Sequence, residues 1–427
     1  MQPFRCLIAL ALLTLPLVPA ASALAAPPAN DAAGVADAVD DATKERLLSD
    51  AAHAWSYFTR KSGSLPGMTS VNIWQEDDGY GSYDIATMWD TGSIILATIS
   101  ARSIGLIDQA EFDDRIGGIM AFLDRATTTY DGAKLPNFRS STKTGKSVEE
   151  GYDATDTGRL FVALHVLDGV TNGKFKAASL MEKWDIAATV SEGAMQDIKR
   201  GAMSPAQSNI YRYYVSRGYK LWDVPHAAVY PGPAPDGSKA ARAKFLEELA
   251  SIGPISTEPS VNEIVEIGAS PFANVIAETL GKAQRERYAQ TGKLTAVSEG
   301  PVDKAPWFTY QGYDLDREGQ GERAWTVYPW RTDKKWATDT FAEDFRVISS
   351  KAAFLWFAAF PDDYTQKLWE EVREKARAEH FGFFPGVYEK SGVAAQNLDV
   401  NTNAMILSSI AYIFNGRKPL ITAHAGS

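Results

Sequence analysis

The sequence predicts an all-α protein, an (α/α)6 toroid of helical hairpins carrying small β-hairpins in its long loops. Three observations predict it. Apolar residues recur at helical spacing in segment after segment, as in Leu47, Ala51, Trp55 and Phe58, or Ile116, Ile119, Met120 and Leu123. No alternating set of strands is large enough for a central sheet. Connections read as short on one side and long on the other, and the long ones, at 61–83, 127–155, 202–237, 292–342 and 380–398, carry Gly, Pro and aromatics. A helical-repeat solenoid is the competing architecture, but the fixed-period repeat it requires is missing.

From the N-terminus, Arg5 precedes an apolar run over 6–20, followed by the small-x-small sites Ala21-Ser22-Ala23 and Ala23-Leu24-Ala25. That pattern reads as a signal peptide over residues 1–25. The run is shorter than the ~20 apolar residues that span a bilayer, so no membrane span is expected after signal removal. The expected location is periplasmic or secreted. The chain's one cysteine, Cys6, falls in this segment, which leaves the mature chain without disulfides and fits a bacterial periplasm. Residues 26–42, rich in Ala, Pro and Asp, read as a flexible leader, and 43–420 as a single toroid domain. Within that domain helices are expected at about 90–104, 156–169, 174–195, 238–252, 260–268, 271–290, 344–360, 363–379 and 401–415. Residues 211–215 and 325–328 read as short extended pieces.

A hydrophobic content of 45% with eleven Trp supports a large core. The formal net charge is -10 and no run of Lys or Arg is long enough to track phosphates, so nucleic acid is not an expected partner. Residues 142–147 end like a phosphate-binding loop but lack its leading glycine, where Ser140 stands. Residues 314–325 begin like a calcium loop but close on Trp325 instead of Glu. The five His are isolated, so no metal and no cofactor is expected.

Carboxylates with aromatics remain, and these are the tools of glycoside chemistry: a protonated carboxyl to donate to the leaving oxygen, and a carboxylate to activate water or attack the sugar. Asp90 and Asp156 open apolar helical runs, and Glu258 opens a third, so the three are the catalytic candidates. Each also has a structural reading, since Asp at such a position caps a helix. Glu258, followed by Pro259, is a poorer cap and is favoured as the acid, with Asp90 or Asp156 as base. Glu263 and Glu266 lie three apart on one helical face. Trp325 and Trp330 belong to an aromatic run from Trp307 to Trp336, and Tyr211, Tyr213, Tyr214, Tyr219 and Trp222 form a second cluster. Such rings stack on sugars or pack beneath loops. Arg139, Arg159 and Arg346 are candidates to orient sugars or acids.

The motifs Tyr83-Asp-Ile-Ala-Thr-Met-Trp-Asp90, Asp156-Thr-Gly-Arg159, Thr257-Glu-Pro259 with Glu266-Ile-Gly268, the segment 288–299 ending in Glu299, Ile348-Ser-Ser-Lys-Ala-Ala353, and Tyr388-Glu389 with Asn401-Thr-Asn-Ala404 resemble, in this order, the bacterial domain of unknown function 3131 family. The match spans about residues 45 to 418. The resemblance implies a glucoamylase-like six-hairpin toroid of the kind seen in exported β-glucan-processing enzymes, and an association with polysaccharide synthesis systems. It adds Tyr83, Trp89, Glu266, Glu299, Glu389, Asn401 and Asn403 to the substrate-binding candidates. Ser260 stands where the family pattern leads one to expect an aromatic. The expected function is a glycoside hydrolase acting on a polysaccharide or oligosaccharide. A non-catalytic glycan-binding accessory and a polysaccharide lyase are the alternatives.

Overall fold

The computed structural model describes residues 39–76, 79–235, 238–329 and 340–423. The expected signal peptide and most of the expected leader lie outside the described residues, as does Trp330. The described chain belongs to one compact unit, Ala38–Ser427. It begins with helix α1, Asp41–Thr59, so the last residues assigned to the leader are already helical. Asp40 caps that helix through the amide of Thr43.

Six helices form the heart of the unit. They are α2 (Met88–Ile104), α4 (Ala154–Val170), α6 (Tyr211–Lys220), α8 (Thr257–Ile267), α11 (Ser350–Ala359) and α13 (Val400–Phe414). Each packs on the next, and α13 packs back on α2, so the six close a ring. Helices α2, α4, α11 and α13 are apolar nearly all round, which is the pattern of helices buried on every side. Others flank them: α1 lies on α13, α3 (Gln109–Arg125) on α2, α5 (Ala177–Met181) on α4, α9 (Pro271–Thr291) on α8 and α12 (Asp363–Lys375) on α11. Helices α7 (Lys239–Ile252) and α10 (Phe341–Phe345) complete the set among the described residues.

The expectation of an all-α class is corrected by the connections. The chain is about 51% helix and 18% strand, in six small antiparallel sheets. The long loops pair with themselves and with one another because their backbone groups need partners near the ring. Residues 72–76 pair with both 79–83 and 397–399, and residues 308–313 pair with 300–301 and 325–329. Three local readings change with it, and the first is the helix expected over 344–360, which is interrupted by the strand Val347–Ser349 and resumes at Ser350. The helix expected over 174–195 is only the short α5, a 3-10 turn and the start of a strand at 194–199.

The extended piece expected at 211–215 is helix α6, a member of the ring. Its tyrosines favour strands in isolation, but tertiary packing overrides that preference. Gly158 on α4 and Gly218 on α6 let the two helices meet. A Cβ on Gly218 would collide with the carbonyl of Gly158, and one on Gly158 would sit 2.6 Å from Val215.

Candidate active site

The N-terminal turns of four ring helices, α2, α4, α11 and α13, converge on a cleft of about 1010 Å³. Thr87, Trp89 and Asp90 reach it from the start of α2, Asp156 from α4, Lys351 from α11, and Asp399 and Asn401 from α13. Two-residue or three-residue strands lead into these helices at 85–86, 151–152, 347–349 and 397–399, which fixes where each first turn lies. Helix N-termini carry partial positive charge, so this end of the ring suits carboxylates.

Asp90 is buried and doubly held. Its Oδ2 accepts from the Thr87 amide at 2.9 Å, closing a capping box, and its Oδ1 accepts from Asn401 Nδ2 at 2.9 Å. Burial pushes its carboxyl above the ordinary range against those hydrogen bonds. Asp156 is not the cap of α4. Asp153 is, accepting from the amides of Thr155 and Asp156 at 3.0 and 3.1 Å. Asp156 lines the cleft and is half-buried. Loss of water raises it well above the usual range, with the charges of Asp153 and Asp90 adding to the effect.

Glu299 is the third carboxyl of the cleft floor. Burial pushes it up to about 7, Glu258 adds to the rise, and Lys351 and a hydrogen bond from Tyr211 oppose it. Tyr211 begins α6, so that helix touches Glu299 from behind the cleft lining.

Glu258 does not line the cleft. It is 0% exposed, and Lys351 Nζ, which does line the cleft, forms an ion pair with its Oε2. Ser298 Oγ donates to the same oxygen at 3.3 Å, while Oε1 has no hydrogen-bond partner. Backbone bonds tie the segments together: Thr257 N donates to Val297 O at 3.1 Å and Ser349 N to Ala296 O at 2.9 Å. Burial alone works against the charge of Lys351, but Glu258, Glu299 and Asp399 together raise its pKa.

Of the remaining candidates, Tyr83, Trp89, Arg139 and Asn401 line the cleft. Arg139 is ion-paired with Glu149 at 2.9 Å. The structure gives the others different work. Arg159 is buried beneath Trp89, its guanidinium 4.8 Å from that ring, and pairs with Glu266 at 2.9 Å while bonding Ser93 and Tyr214. Arg346 and Glu389 join Arg287 and Glu322 in a separate ion-pair network. Asn403 bonds the backbone of Phe383 and Asp399 in the core, and the cap of α13 is Asp399, accepting from Thr402 N at 2.8 Å. Trp325 is 4% exposed, its ring 4.8 Å from that of Tyr313, and does not face the cleft.

The exposed rings of the cleft are Trp74, Tyr83 and Trp307. Trp74 lies across Gly81, and its indole nitrogen donates to Glu76 at 2.8 Å, so the ring is oriented without being covered. Trp307 is 61% exposed with its backbone at φ 70°. A bulky residue there costs about 1–3 kcal/mol, and such strain gathers at functional sites. The turn holds it through Trp307 N to Lys304 O at 2.8 Å and Val302 N to Trp307 O at 3.0 Å.

Lys351 and Trp74 were not singled out by sequence reasoning. A signal for Lys351 exists: it is the lone charge between Val347 and Phe360, directly before the apolar run Ala352-Ala-Phe-Leu-Trp-Phe-Ala-Ala. Among the described residues no cluster of three or more His, Cys, Asp or Glu has metal-holding geometry.

A family model described as "Protein of unknown function (DUF3131)" matches residues 49–416. No curated protein matches the chain in sequence. Among solved structures, a glucoamylase-like protein from Bacteroides caccae is similar at 13% identity, with 89% of this chain and 97% of that one covered and a TM-score of 0.57. A β-1,2-glucanase from Parabacteroides distasonis is similar at 15% identity, with 89% of this chain and 58% of that one covered and a TM-score of 0.57. An endo-β-1,2-glucanase from Chitinophaga pinensis, solved with sophorotriose and glucose, is similar at 11% identity over 88% and 94% of the two chains, with a TM-score of 0.54. At such identities the likeness is one of fold.

Proposed function

The chain belongs to the DUF3131 family, and from that membership and the geometry of its cleft we propose that it is a glycoside hydrolase acting on a β-glucan. One observation carries the reading. Exposed aromatic rings share a cleft with carboxyl groups that burial shifts toward holding a proton. The fold shared with β-1,2-glucanases supports it and suggests the first linkage to try.

In this reading Glu299 is the proton donor. Raised to about 7, it holds a proton up to near-neutral pH and can release it to the glycosidic oxygen as the C1–O bond breaks. Asp90, its two oxygens aimed by Thr87 and Asn401, accepts the proton of the water whose oxygen bonds C1. Asp156, its carboxyl raised by burial and by its acidic neighbours, bonds a hydroxyl of the sugar. Glu258 moves from acid to support: the Glu258–Lys351 pair sets the field around Glu299 from behind the floor. The rings of Trp74, Tyr83 and Trp307 take the apolar faces of the sugars.

A lyase acting on uronic acids is disfavoured, because the cleft offers Asp90, Asp156, Glu299, Asp303 and Asp399 against Arg139 and Lys351. Export belongs to the proposal on the strength of residues 1–25, and an intact Met1 on protein purified from its native host would remove it.

The test is a panel of β-1,2-, β-1,3-, β-1,4- and β-1,6-glucans assayed for new reducing ends and for the ultraviolet absorbance of unsaturated sugars. Reducing ends from one glucan without absorbance are expected. Binding without any cleavage would leave a glycan-binding accessory of a polysaccharide synthesis system, and absorbance would mark a lyase.

A further inference from the structure

The wall of the cleft has a second side. Gln75 and Gln396, which line the cleft, also line a separate cavity of about 160 Å³ whose other walls include Tyr80, Glu379, His380 and Phe381. The three-stranded sheet of 72–76, 79–83 and 397–399 makes the partition. In its register Gln75 faces Tyr80 and Trp74 faces both Gly81 and Asn397. Residues directly opposite in such a ladder share a face of the sheet, so Gln75 and Tyr80 sit side by side above the smaller cavity. The same hairpin that carries Trp74 in the cleft thus carries Tyr80 in its neighbour.

The cavity has the make-up of a sugar subsite. Tyr80 is 39% exposed, and its ring is steadied 5.1 Å from Phe381 and 6.5 Å from His380 at an interplanar angle of 87°. The side-chain amides of Gln75 and Gln396 make no hydrogen bond to another described residue, and each offers both donors and an acceptor. Gln396 is nonetheless positioned, because its backbone amide donates to Asp303 at 2.9 Å. An aromatic face beside unpaired amides is the combination that recognises a neutral hexose, whose ring has apolar C–H faces and a rim of hydroxyls.

We propose that this cavity is a distal subsite for the glycan chain held in the main cleft, so that the protein's substrate is a polymer or long oligosaccharide. The inference rests on the cleft's being a glycan site. A chain leaving the cleft crosses the two glutamines, sets a further sugar against Tyr80, and gains affinity that a short ligand cannot.

The experiment is calorimetric titration of β-1,2-gluco-oligosaccharides of increasing length into the Glu299→Gln protein, with and without Tyr80→Ala or Gln396→Ala. Tyr80→Ala is expected to weaken the longest chains about tenfold, the order of one aromatic contact, and to leave the disaccharide unchanged. Gln396→Ala, which removes only an exposed side chain, is expected to follow the same length dependence. Losses that are equal at every length, or absent at every length while Trp307→Ala weakens all of them, would overturn the distal subsite and leave the cleft as a glycan site. Failure of every length to bind any of these proteins would overturn both.

Discussion

This protein holds two clusters of charge, one at Arg287 and one at the cleft, and they are built on opposite principles. In one, Arg287, Arg346 and Lys293 surround Glu322 and Glu389, with Arg287 donating to both carboxylates at 2.6 to 2.9 Å. Burial opposes the charge of Glu389, yet the Arg287 hydrogen bonds and charge hold its pKa below the ordinary value. Glu322 is lowered too, chiefly by hydrogen bonds from Arg287. In the other, Lys351 alone answers Glu258, Glu299 and Asp399, with Asp90 and Asp156 also lining the cleft. There the shifts resolved on carboxyl groups run upward.

A cluster with more cations than anions ties loops down and leaves nothing to titrate near neutrality. A cluster short of cations stores protons where a ligand can reach them, and perturbed carboxyls of that kind gather at functional sites. Arg346 and Glu389 were candidates for substrate contact on sequence grounds. In the structure both are instead held in ion pairs of this cluster.

The largest expected effect tests the unbalanced cluster. Glu299→Gln should lower glucan turnover by about 10²–10⁴-fold, the range for loss of a general acid. The same variant should gain stability with pH. Folded Glu299 keeps its proton to about 7 against an ordinary 4.5, so the folded state binds the extra proton between those values and loses that advantage as pH rises through them. Melting of the variant should match the wild type below pH 4.5 and exceed it above about 7. A variant with unchanged turnover, or with no pH-dependent gain in melting temperature, would erase the contrast.

Next in size is the balanced cluster. Arg287→Met should cost about 3 kcal/mol of stability by removing the main partner of the partly buried Glu389 carboxylate, measured by denaturant unfolding, with kcat unchanged at temperatures where it is folded. Loss of activity in a stably folded variant would mean that this cluster also serves the site.

The smallest effects separate the rings. Trp307→Ala should weaken oligosaccharide binding by about 1–2 kcal/mol with little change in melting temperature, and Trp325→Ala should do the reverse. Equal effects on binding from both would place the aromatic platform elsewhere.

Asp90 and Asp156 could be read from residue types alone, because acids at the start of apolar helical runs are a local pattern, whereas Tyr83, Trp89, Glu299 and Asn401 come only with the family resemblance. Asp90, Asp156, Glu299, Trp89, Tyr83, Arg139 and Asn401 come together in the cleft. Partners remote in sequence could not be read that way. Whether Glu258 meets solvent or Lys351 depends on how α8 and α11 pack, and whether Arg159 faces a sugar or Glu266 depends on α4 and α8. The same limit explains α6, whose tyrosines look extended until Gly158 and Gly218 draw the helix against α4. It explains the sheets as well, since 72–76 finds a partner at 397–399, far along the chain.

The most direct test of the account is the pH dependence of reducing-end release from β-1,2-glucan by the wild-type protein beside Glu299→Gln. The account predicts a wild-type rate that falls about tenfold per pH unit above about 7, as Glu299 loses its proton, and a variant lacking that limb because its rate is already lost. A wild-type rate that stays flat to about pH 9, or a variant that cleaves at the wild-type rate, would contradict it.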